Sequence, residues 1–502
     1  MSLQDDSRIT DTSMPMHGSG NIMLGRRMNS ISGEIADGQQ GNHAGHAFDY
    51  AITHASGDMA PYFAREGVDP LTSAFDGKIA VHPGIGGEML KGDKALAALE
   101  SLLDFPRSGR SVVYVHVPFC ETHCLYCGFY NRVYRPDESA AYAETLSKEL
   151  ALWAGRAVQE QGPVHAVYLG GGTPTALEAD DLRRVLLDIR ARLPLANDCE
   201  ITVEGRLTNF GERKMEACLE GGANRFSLGV QSFNTKIRQA MGRLCPREDL
   251  LRRIETLRSY DQAAIVVDLI YGFPMQDMES WLDDIATAQS IGLDGADCYQ
   301  LNTYRGTPLS RAIESGRLPA GADTAGRALM FKAGVEAMQK VFWRRLSISH
   351  WANTTRERNL YNQYVKGRAH CLAFGPGGGG NIDGMFYMND SDVAAWRESV
   401  EAGRKPLAMA VLPEPRWKLY KAVTEGMERG MLNLSALESE FGEALRENCK
   451  PVLAQWERAG LVAWNGDFLV LTVAGQFWQV NLNQLLLDYL KHSSGQSCRA
   501  YR

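Results

Sequence analysis

The 502-residue chain has no apolar run of 18 residues or more, so the sequence predicts no membrane span. It also has no excess of positive charge, because its formal net charge is −7 at pH 7. A general nucleic-acid-binding protein carries a basic stripe, and we therefore expect no nucleic acid partner. The 44% hydrophobic and 23% charged residues are typical of a soluble globular protein, and the length suits two or three domains.

The N-terminal stretch, residues 1–45, lacks the apolar segment of a signal peptide and is rich in Gly, Ser, Asp, Asn and Met. This composition predicts a disordered tail. In the absence of a signal peptide and a membrane span, the expected location is the cytoplasm.

The ten cysteines do not have the density of a disulfide framework. Seven of them occur singly, at Cys199, Cys218, Cys245, Cys298, Cys371, Cys449 and Cys498. Those in apolar surroundings are interpreted as small core residues. Only Cys120, Cys124 and Cys127 cluster, and they follow directly after an apolar segment.

Short apolar segments alternate with amphipathic ones between Arg110 and about Arg305. The candidate strands are Ser111–Val117, His165–Gly170, Cys199–Gly205, Arg225–Ser232, Ala263–Pro274 and Gly295–Asn302. The helical segments include Ser139–Ala157, Glu178–Leu193, Glu212–Gly221, Arg247–Tyr260 and Met278–Gly292. Near-continuous apolar strands separated by helices indicate a parallel α/β sheet, and six such units predict an open or incomplete (β/α)6 barrel. Ligands of such folds bind at the carboxyl ends of the strands.

The C-terminal part has a different pattern, with helices near Trp417–Arg429, Ser435–Phe441 and Ala444–Ala459. A hairpin follows in residues 460–472, where Asn465-Gly466 indicates a type I′ turn. Three helices and a β-wing predict a winged-helix-like domain, for which we favour a role as lid or docking module. The predicted domains are a tail (1–45), an N-terminal extension (46–109), the barrel (110–306), a barrel-completing substrate region (307–412) and the winged-helix-like domain (413–502).

The spacing Cys120-x3-Cys124-x2-Cys127 indicates whether the cysteines form a zinc site, a redox pair or an iron–sulfur site. Structural zinc sites take four protein ligands, and no matching fourth ligand follows nearby. Thioredoxin-like chemistry uses a lone C-x-x-C. Three thiolates from one tight loop suit a [4Fe–4S] cluster in which one iron stays open for an exogenous ligand.

The cysteines and the preceding Tyr114–Phe119 (YVHVPF) resemble the radical SAM superfamily. More narrowly, the chain resembles the group that contains oxygen-independent coproporphyrinogen III dehydrogenase and the heme chaperone HemW, over roughly Arg110 to Leu490. The resemblance implies a radical SAM barrel with a [4Fe–4S] cluster on the three cysteines and S-adenosylmethionine (SAM) on the open iron. In that superfamily one electron cleaves SAM to methionine and a 5′-deoxyadenosyl radical.

The resemblance also implies which residues bind SAM. Gly171, Gly172 and Thr173, in the segment GGGTPT, match the motif for its amino group, and glycines allow the backbone to approach a ligand. The remaining matches are Tyr114 beside the iron-bound SAM, Tyr126 against adenine, and Glu204, Gln231, Arg243, Asp268 and Asn302. Each of these is otherwise interpreted as an ordinary strand end or helix cap.

Three features indicate which member of the group the chain resembles. Phe129 stands two residues after the third cysteine, where the dehydrogenase has a cysteine, and Gly128 stands where HemW-like chains are acidic. The segments CGFYNR (127–132), ETHC (121–124) and Pro70–Gly84 most resemble the heme-utilisation proteins HutW and ChuW. That resemblance implies anaerobic heme degradation by SAM-dependent methyl transfer and ring opening with iron release. The alternatives are the dehydrogenase of heme biosynthesis and a heme-binding chaperone.

The implied partners are heme or a related porphyrin, a reduced flavodoxin-like electron donor and a heme-carrier protein. A flat dianionic macrocycle needs aromatic walls and cations for its propionates. The candidates are Phe129, Tyr130, Trp343, Trp351, Tyr361, Tyr364 and Phe374 for the walls, and Arg132, Arg305 and Arg345 for the propionates. His123, His350 and His370 are candidate ligands of the heme iron.

Overall fold

The structure is a computed structural model that describes residues 59–79 and 85–493. The predicted tail, the first part of the predicted extension and Cys498 lie outside the described residues. The nine cysteines within them are all free, as expected. None of the described helices is long and apolar enough to cross a membrane.

The described strands are, in chain order, β1 (Glu88–Leu90), β2 (Ser111–Val117), β3 (Phe119–Cys120), β4 (Arg132–Val133), β5 (Val164–Gly171), β6 (Leu195–Gly205), β7 (Arg225–Gln231), β8 (Ala264–Tyr271), β9 (Gly295–Gln300), β10 (Arg344–Arg345), β11 (His350–Ala352), β12 (His370–Phe374), β13 (Gly379–Ile382), β14 (Met385–Asn389), β15 (Leu407–Leu412), β16 (Met431–Asn433), β17 (Val462–Asn465) and β18 (Phe468–Leu471).

The helices are α1 (Pro70–Ser73), α2 (Gly92–Glu100), α3 (Asp137–Ala151), α4 (Ala157–Glu160), α5 (Ala179–Arg192), α6 (Glu212–Glu220), α7 (Thr235–Ala240), α8 (Arg247–Ser259), α9 (Met278–Ser290), α10 (Pro308–Glu314), α11 (Thr324–Lys340), α12 (Leu360–Val365), α13 (Val393–Glu401), α14 (Trp417–Arg429), α15 (Leu434–Phe441), α16 (Leu445–Asn448), α17 (Lys450–Arg458), α18 (Val473–Phe477) and α19 (Gln479–Ser493). Short 3-10 helices cover Ala60–Tyr62, Pro174–Ala176 and Leu207–Asn209.

The six predicted strands form the centre of one sheet. Strands β2, β5, β6, β7, β8 and β9 are parallel and adjacent in this order. The predicted α/β fold of six strand–helix units is therefore confirmed. The sheet is open in the part of the chain that the structure describes, because β1 and β10 are its two ends.

Both edges of these six strands are extended by strands from residues 307–412. Strand β12 pairs in parallel with β2 and continues the sheet into the antiparallel β13, β14 and β15. At the opposite edge, β11 pairs antiparallel with β9 and carries β10. This is the arrangement expected of a barrel-completing region, although the domain boundaries themselves stay a prediction.

The inner face of the barrel is closed by a short helix. Side chains alternate across the strands, so Tyr114 of β2 and Tyr168 of β5 point inward. They pack on Tyr361 of α12, whose ring lies 4.6 Å from that of Tyr168 and 6.0 Å from that of Tyr114. The barrel interior below its C-terminal rim is therefore filled by side chains.

The C-terminal part has the predicted helices and a three-stranded sheet in the order β16-β18-β17. The predicted hairpin is present, but its turn is not of type I′. Asn465 pairs with Phe468, which makes Gly466 and Asp467 the two central residues. Only Gly466 has a positive φ, of 59°, whereas type I′ needs both central residues to be left-handed.

The N-terminal segment, residues 59–79, is anchored on the C-terminal part of the chain. The indole Nε1 of Trp478 donates to the carbonyl oxygens of Pro70 and Leu71, each at 3.0 Å. Nε1 of Trp456 donates to the carbonyl of Tyr62 at 2.9 Å. These buried contacts fix the segment where it approaches the barrel.

Candidate active site at the barrel rim

The three clustered cysteines lie in the loop that follows β2, at the C-terminal end of the barrel, which we call the rim. Cys120 ends β3, which pairs with β4 beyond the loop, and the amide of Tyr134 donates to the carbonyl of Cys120 at 2.9 Å. Cys120 and Cys124 are buried and Cys127 is partly buried. The thiols are therefore shielded from water while the loop itself remains at the protein surface.

Arg206, which the sequence analysis missed, fixes this loop. Its Nη1 donates to the carbonyl (2.9 Å) and hydroxyl (3.0 Å) oxygens of Thr122, and its Nη2 lies 3.7 Å from Cys120 Sγ. The hydroxyl of Thr173 lies 3.4 Å from the same sulfur. The available signal was the position of Arg206 directly after the strand end at Gly205.

The pKa values of the thiols reflect burial against nearby arginines. Burial raises the pKa of Cys120, and it raises that of Cys127 to about 11. Burial alone would also raise the pKa of Cys124, but Arg243 and Arg206 outweigh it and lower that pKa. The arginines therefore favour the thiolate at Cys124 alone, whereas a bound metal ion would itself deprotonate a coordinating thiol at Cys120 and Cys127.

No three His, Cys, Asp or Glu side chains converge on a single-metal site within the described residues. A [4Fe–4S] cluster does not need such convergence, because each thiolate binds a different iron. Three thiols on one loop, two of them buried and one partly buried, with two arginines nearby fit the cluster.

The glycine motif forms a cradle beside the cysteine loop. Gly171 has a φ of +106°, and a Cβ there would lie 2.4 Å from Cε1 of His116. A Cβ on Gly172 would lie 2.5 Å from the carbonyl oxygen of Phe119. Both positions therefore require glycine, because neighbouring protein atoms occupy the space that a Cβ would take.

Glu204 connects the cradle to the barrel wall. One of its carboxylate oxygens accepts from the backbone N–H of Gly171 at 3.2 Å, and the other accepts from the hydroxyl of Tyr168 at 2.5 Å. The structure thus brings two of the predicted SAM residues, Glu204 and Gly171, into direct contact.

Arg243 and Tyr126 form a second pair. Nε of Arg243 donates to the hydroxyl of Tyr126 at 3.1 Å, and its Nη1 donates to the carbonyl of Gly229 at 2.6 Å. The ring of Tyr126 lies 5.1 Å from that of Phe273. A guanidinium and an aromatic face are consequently held together next to the cysteine loop.

Gln231 is the last residue of β7, and Asp268 lies in the middle of β8. Gln231 has a φ of 73° at a break in the strand register, and its buried Oε1 has no partner. Asp268 accepts from the hydroxyl of Ser227 at 3.3 Å, while burial and the nearby Asp297 and Glu204 raise its pKa to about 7. An orphaned buried acceptor is the mark expected of a ligand site. The remaining predicted SAM residue, Asn302, accepts from Nε2 of Gln300 at 3.1 Å.

His116 is a further site residue that the sequence analysis missed. It lies two residues after Tyr114 on the inner face of β2, and its Nδ1 is 3.0 Å from the Tyr114 hydroxyl. Its buried Nε2 has no partner, and burial lowers its pKa to about 4. The signal that could have found it is the strand alternation, since residues i and i+2 share one face.

Most of the residues predicted to contact the porphyrin have other partners in the structure. Trp343, Trp351 and Phe374 pack in the main core, so their prediction as cavity walls is wrong. His350 and His370 are wrong as iron ligands, because both ring nitrogens of each already face protein partners.

The other candidates lie closer to the surface. Tyr130 stacks on His123 with the ring centroids 4.1 Å apart, and Phe129 donates its backbone N–H to Cys127 Sγ at 3.3 Å. Tyr364 packs with Tyr361 at the inner face of the barrel. Arg132 pairs with Glu138 at 2.7 Å.

Comparison with known proteins agrees with this geometry. The sequence profile of the radical SAM superfamily matches residues 114–288, which include the three cysteines and every predicted SAM residue except Asn302. A relative with 41% identity over 436 residues covers 86% of this chain. The chain therefore belongs to the radical SAM superfamily. That relative is anaerobilin synthase from Escherichia coli O157:H7, of which 96% is covered.

Two other relatives are more distant. Oxygen-independent coproporphyrinogen III oxidase from Bradyrhizobium diazoefficiens is 29% identical over 322 residues, which are 60% of this chain and 69% of that protein. The solved structure of coproporphyrinogen III oxidase (HemN) from Escherichia coli matches with a TM-score of 0.68 and 20% identity. The matched region covers 79% of this chain and 94% of the HemN chain. The two proteins therefore share a fold.

The superfamily uses a [4Fe–4S] cluster and SAM, and the chain is a radical SAM enzyme. The residues present fit both groups. The three thiols would hold the cluster, and the glycine cradle and the unpartnered Gln231 Oε1 would contact SAM.

Proposed function

We propose that the chain degrades heme without oxygen, by SAM-dependent methyl transfer to the porphyrin and ring opening with release of iron. The observation that carries this proposal is the 41% identity to anaerobilin synthase over 96% of that protein's length. The similarity to oxygen-independent coproporphyrinogen III oxidase is lower, at 29%, and covers less of the chain.

The roles of the site residues follow from their chemistry. The thiolates of Cys120, Cys124 and Cys127 would hold the cluster, which when bound gives one electron to SAM and so generates a 5′-deoxyadenosyl radical. The Arg243 guanidinium suits the SAM carboxylate, because guanidinium and carboxylate pair in a bidentate manner. Gln231 Oε1 is a free acceptor for an ammonium or hydroxyl group.

Glu204 and Asp268 are acceptors for ribose hydroxyls in this proposal, and Tyr126 offers a ring face to the adenine. Apolar side chains surround this part of the rim. Leu125, Phe273, Leu301 and Leu309 pack together with Tyr126. Such a cluster keeps water away from a reactive radical.

The partners are a heme or related porphyrin as substrate, a reduced flavodoxin-like protein as electron donor and a heme-carrier protein. A cytoplasmic location is part of the proposal, because a reducing compartment keeps the cluster thiols free. The N-terminal tail, the extension and the winged-helix-like domain keep the predicted boundaries 1–45, 46–109 and 413–502.

A second candidate is oxygen-independent coproporphyrinogen III oxidation, which the HemN-like fold and the 29% identity favour. Phe129, in the place of the cysteine expected in that enzyme, argues against it. A heme-binding chaperone is the candidate of another class.

The test is anaerobic incubation of the iron–sulfur-reconstituted protein with SAM, a reductant and heme, followed by absorption spectroscopy and mass spectrometry. We expect loss of the heme absorption, formation of 5′-deoxyadenosine and a methylated linear tetrapyrrole. A Cys124→Ala variant is the matched control and should leave heme unchanged.

Each alternative has its own outcome. Heme that is bound but returned intact would contradict the proposal and favour the chaperone. Conversion of coproporphyrinogen III in a parallel reaction, with heme unchanged, would favour the biosynthetic enzyme.

A further inference from the structure

Lys78 lies in the segment Pro70–Gly84, which no part of the proposed chemistry uses. It is partly buried, and its Nζ donates to Oε1 of Gln300 at 2.8 Å. The same Nζ lies 3.7 Å from the centre of the Phe477 ring, within the range of a cation–π contact. Because Gln300 is the last residue of β9, the amine is held at the carboxyl end of a barrel strand.

Arg327 of α11 approaches the same strand end. Its Nη1 lies 3.5 Å from the carbonyl oxygen of Leu301, the residue after Gln300, and its Nη2 lies 3.3 Å from the hydroxyl of Thr324. Its buried Nε has no hydrogen-bond partner in the described structure. Two cations from separate segments therefore reach adjacent residues at the C-terminal end of β9.

Neither cation forms an ion pair with a carboxylate among the described residues. Two other buried cations do, since Lys405 lies 2.6 Å from Glu149 and Arg225 lies 2.9 Å from Glu357. The buried Arg107, Arg238 and Lys421 donate to backbone carbonyl oxygens instead. Burial lowers the pKa of Lys78 well below its usual range, and Arg327 lowers it further. Burial likewise lowers the pKa of Arg327. Asp323, which forms no ion pair with Arg327 in the described structure, partly opposes that effect. Two neighbouring cations with no carboxylate in direct contact are a site that an anion would stabilise.

Hydrogen bonds connect Lys78 to the predicted SAM site. Nε2 of Gln300 donates to Oδ1 of Asn302, so the amine of Lys78 is linked by two hydrogen bonds to a predicted SAM residue. Ligands of such barrels bind at this end of the strands. Of the arginines first considered for propionates, Arg345 is bound to the carbonyls of Ser347 and Ile348, which leaves that role open.

We propose that Lys78 and Arg327 form a carboxylate-binding site at the end of β9, and that its ligand is a propionate group of the porphyrin. The identity of the ligand rests on the proposed function, whereas the site itself rests on the two unpaired cations. Gln300 orients the lysine amine by a hydrogen bond. Because Gln300 is also bonded to Asn302, a ligand bound at the site affects the position of Asn302.

The test compares binding of heme and of heme dimethyl ester to the anaerobic, iron–sulfur-reconstituted enzyme. The variants are Lys78→Met and Arg327→Gln. Lys332→Met is the matched control, because Lys332 lies on the same helix α11, is exposed, and is 3.8 Å from Glu336. Dissociation constants are measured by absorption titration without SAM, so that binding is separated from turnover.

We expect each site variant to bind heme roughly 10- to 100-fold more weakly, the range for losing a hydrogen bond to a charged group. The ester should bind the wild-type protein more weakly than heme does, and should bind all variants equally. Lys332→Met should match the wild type with both ligands.

Unchanged heme affinity in both site variants would overturn the proposal. Equal losses for heme and ester would also overturn it, since they would show a structural role. Normal heme turnover with unchanged variant affinities would contradict this site alone. Selective heme binding without turnover would contradict the proposed function and leave the site intact.

Discussion

His116 and His350 are both buried inside the same barrel, yet their pKa values move in opposite directions. His116 lies on β2 near the rim, and burial lowers its pKa to about 4. His350 lies on β11, where it pairs with Asp297 in the middle of β9. Burial would lower its pKa as well, but Asp297 and Glu357 outweigh that effect and raise it to about 9.

The surroundings of His350 form a complete ion network, which we call the floor and define by Arg225, Asp297, His350 and Glu357. The imidazole lies 2.7 Å from Asp297 and 3.0 Å from Glu357, and Glu357 lies 2.9 Å from Arg225. Each ionisable side chain of the floor has an oppositely charged neighbour. The floor therefore satisfies its own charges and serves the fold.

The rim is built differently. Nε2 of His116 and Oε1 of Gln231 are buried without partners, and Gly171 packs so closely on the His116 ring that only glycine fits. Nη2 of Arg225 on the floor also has no hydrogen-bond partner, but its guanidinium pairs with Glu357. The two rim atoms belong to side chains that form no ion pair among the described residues, and a ligand is the partner that would satisfy them. Polar groups inside one barrel can therefore have two roles. Those of the floor stabilise the fold, and those of the rim are available to bind a ligand.

The largest expected effect comes from removing a cluster thiol. Cys124→Ala should abolish SAM cleavage and heme turnover, because the cluster loses one of three protein ligands. The floor is untouched, so the thermal midpoint of the metal-free protein should stay within a few degrees of the wild type. Absorption of the reconstituted cluster and calorimetry measure the two effects.

Cys199→Ala is the matched control, because Cys199 is a buried core thiol away from the loop. It should retain the cluster. Loss of the cluster in this control would break the assignment of iron binding to the three clustered thiols.

The next effect is on stability alone. Glu357→Gln leaves Arg225 and His350 without their common carboxylate, and removing one partner of a buried pair costs about 3–5 kcal/mol. Burial alone would raise the pKa of Glu357, but Arg225 and His350 lower it to about 2, so this carboxylate is charged in the folded protein. We expect a clear drop in the thermal midpoint.

SAM affinity of the protein that remains folded should change little in Glu357→Gln. The exposed Glu336→Gln on α11 is the matched control and should change neither property. A large loss of SAM affinity at full stability would show that the floor takes part in binding and would erase the distinction between the two ends.

Gly171→Ala perturbs the rim without touching the floor. The new Cβ would overlap His116 at 2.4 Å and would also occupy a left-handed backbone position. We expect at least about a tenfold loss of SAM affinity, equivalent to about 1.4 kcal/mol, measured by equilibrium binding.

Gly155→Ala separates the two causes. Gly155 also has a positive φ, of +81°, but nothing lies within 4 Å of its Cβ position. This control should lose some stability and no SAM affinity. Equal SAM affinity in both variants would argue against the cradle.

The sequence predicted the features that depend on local pattern. All six barrel strands and the cysteine loop are placed correctly, because apolar runs and thiol spacing are local signals. Arg206 and His116 were missed because their roles depend on neighbours 86 and 55 positions away along the chain, at Cys120 and Gly171. Trp351 was misassigned because an aromatic residue has the same sequence appearance in a core as in a cavity.

The most gradual expected effect is the opposite pH dependence of the two histidines. His350 has a folded pKa of about 9 against an ordinary value of 6.5, so its stabilisation is complete below pH 6.5 and is lost as the pH rises toward 9. His116 has a folded pKa of about 4, so stability declines as the pH falls from 6.5 toward 4. One proton changes stability by at most about 1.4 kcal/mol per pH unit.

Thermal midpoints measured from pH 4 to pH 9.5 therefore test the comparison directly. His350→Gln should remove much of the decline on the alkaline side and leave the acid side unchanged. His116→Gln should reduce the decline on the acid side only. If both variants changed the same side of the pH profile, the two histidines would share one electrostatic environment. The distinction between the floor and the rim would then be wrong.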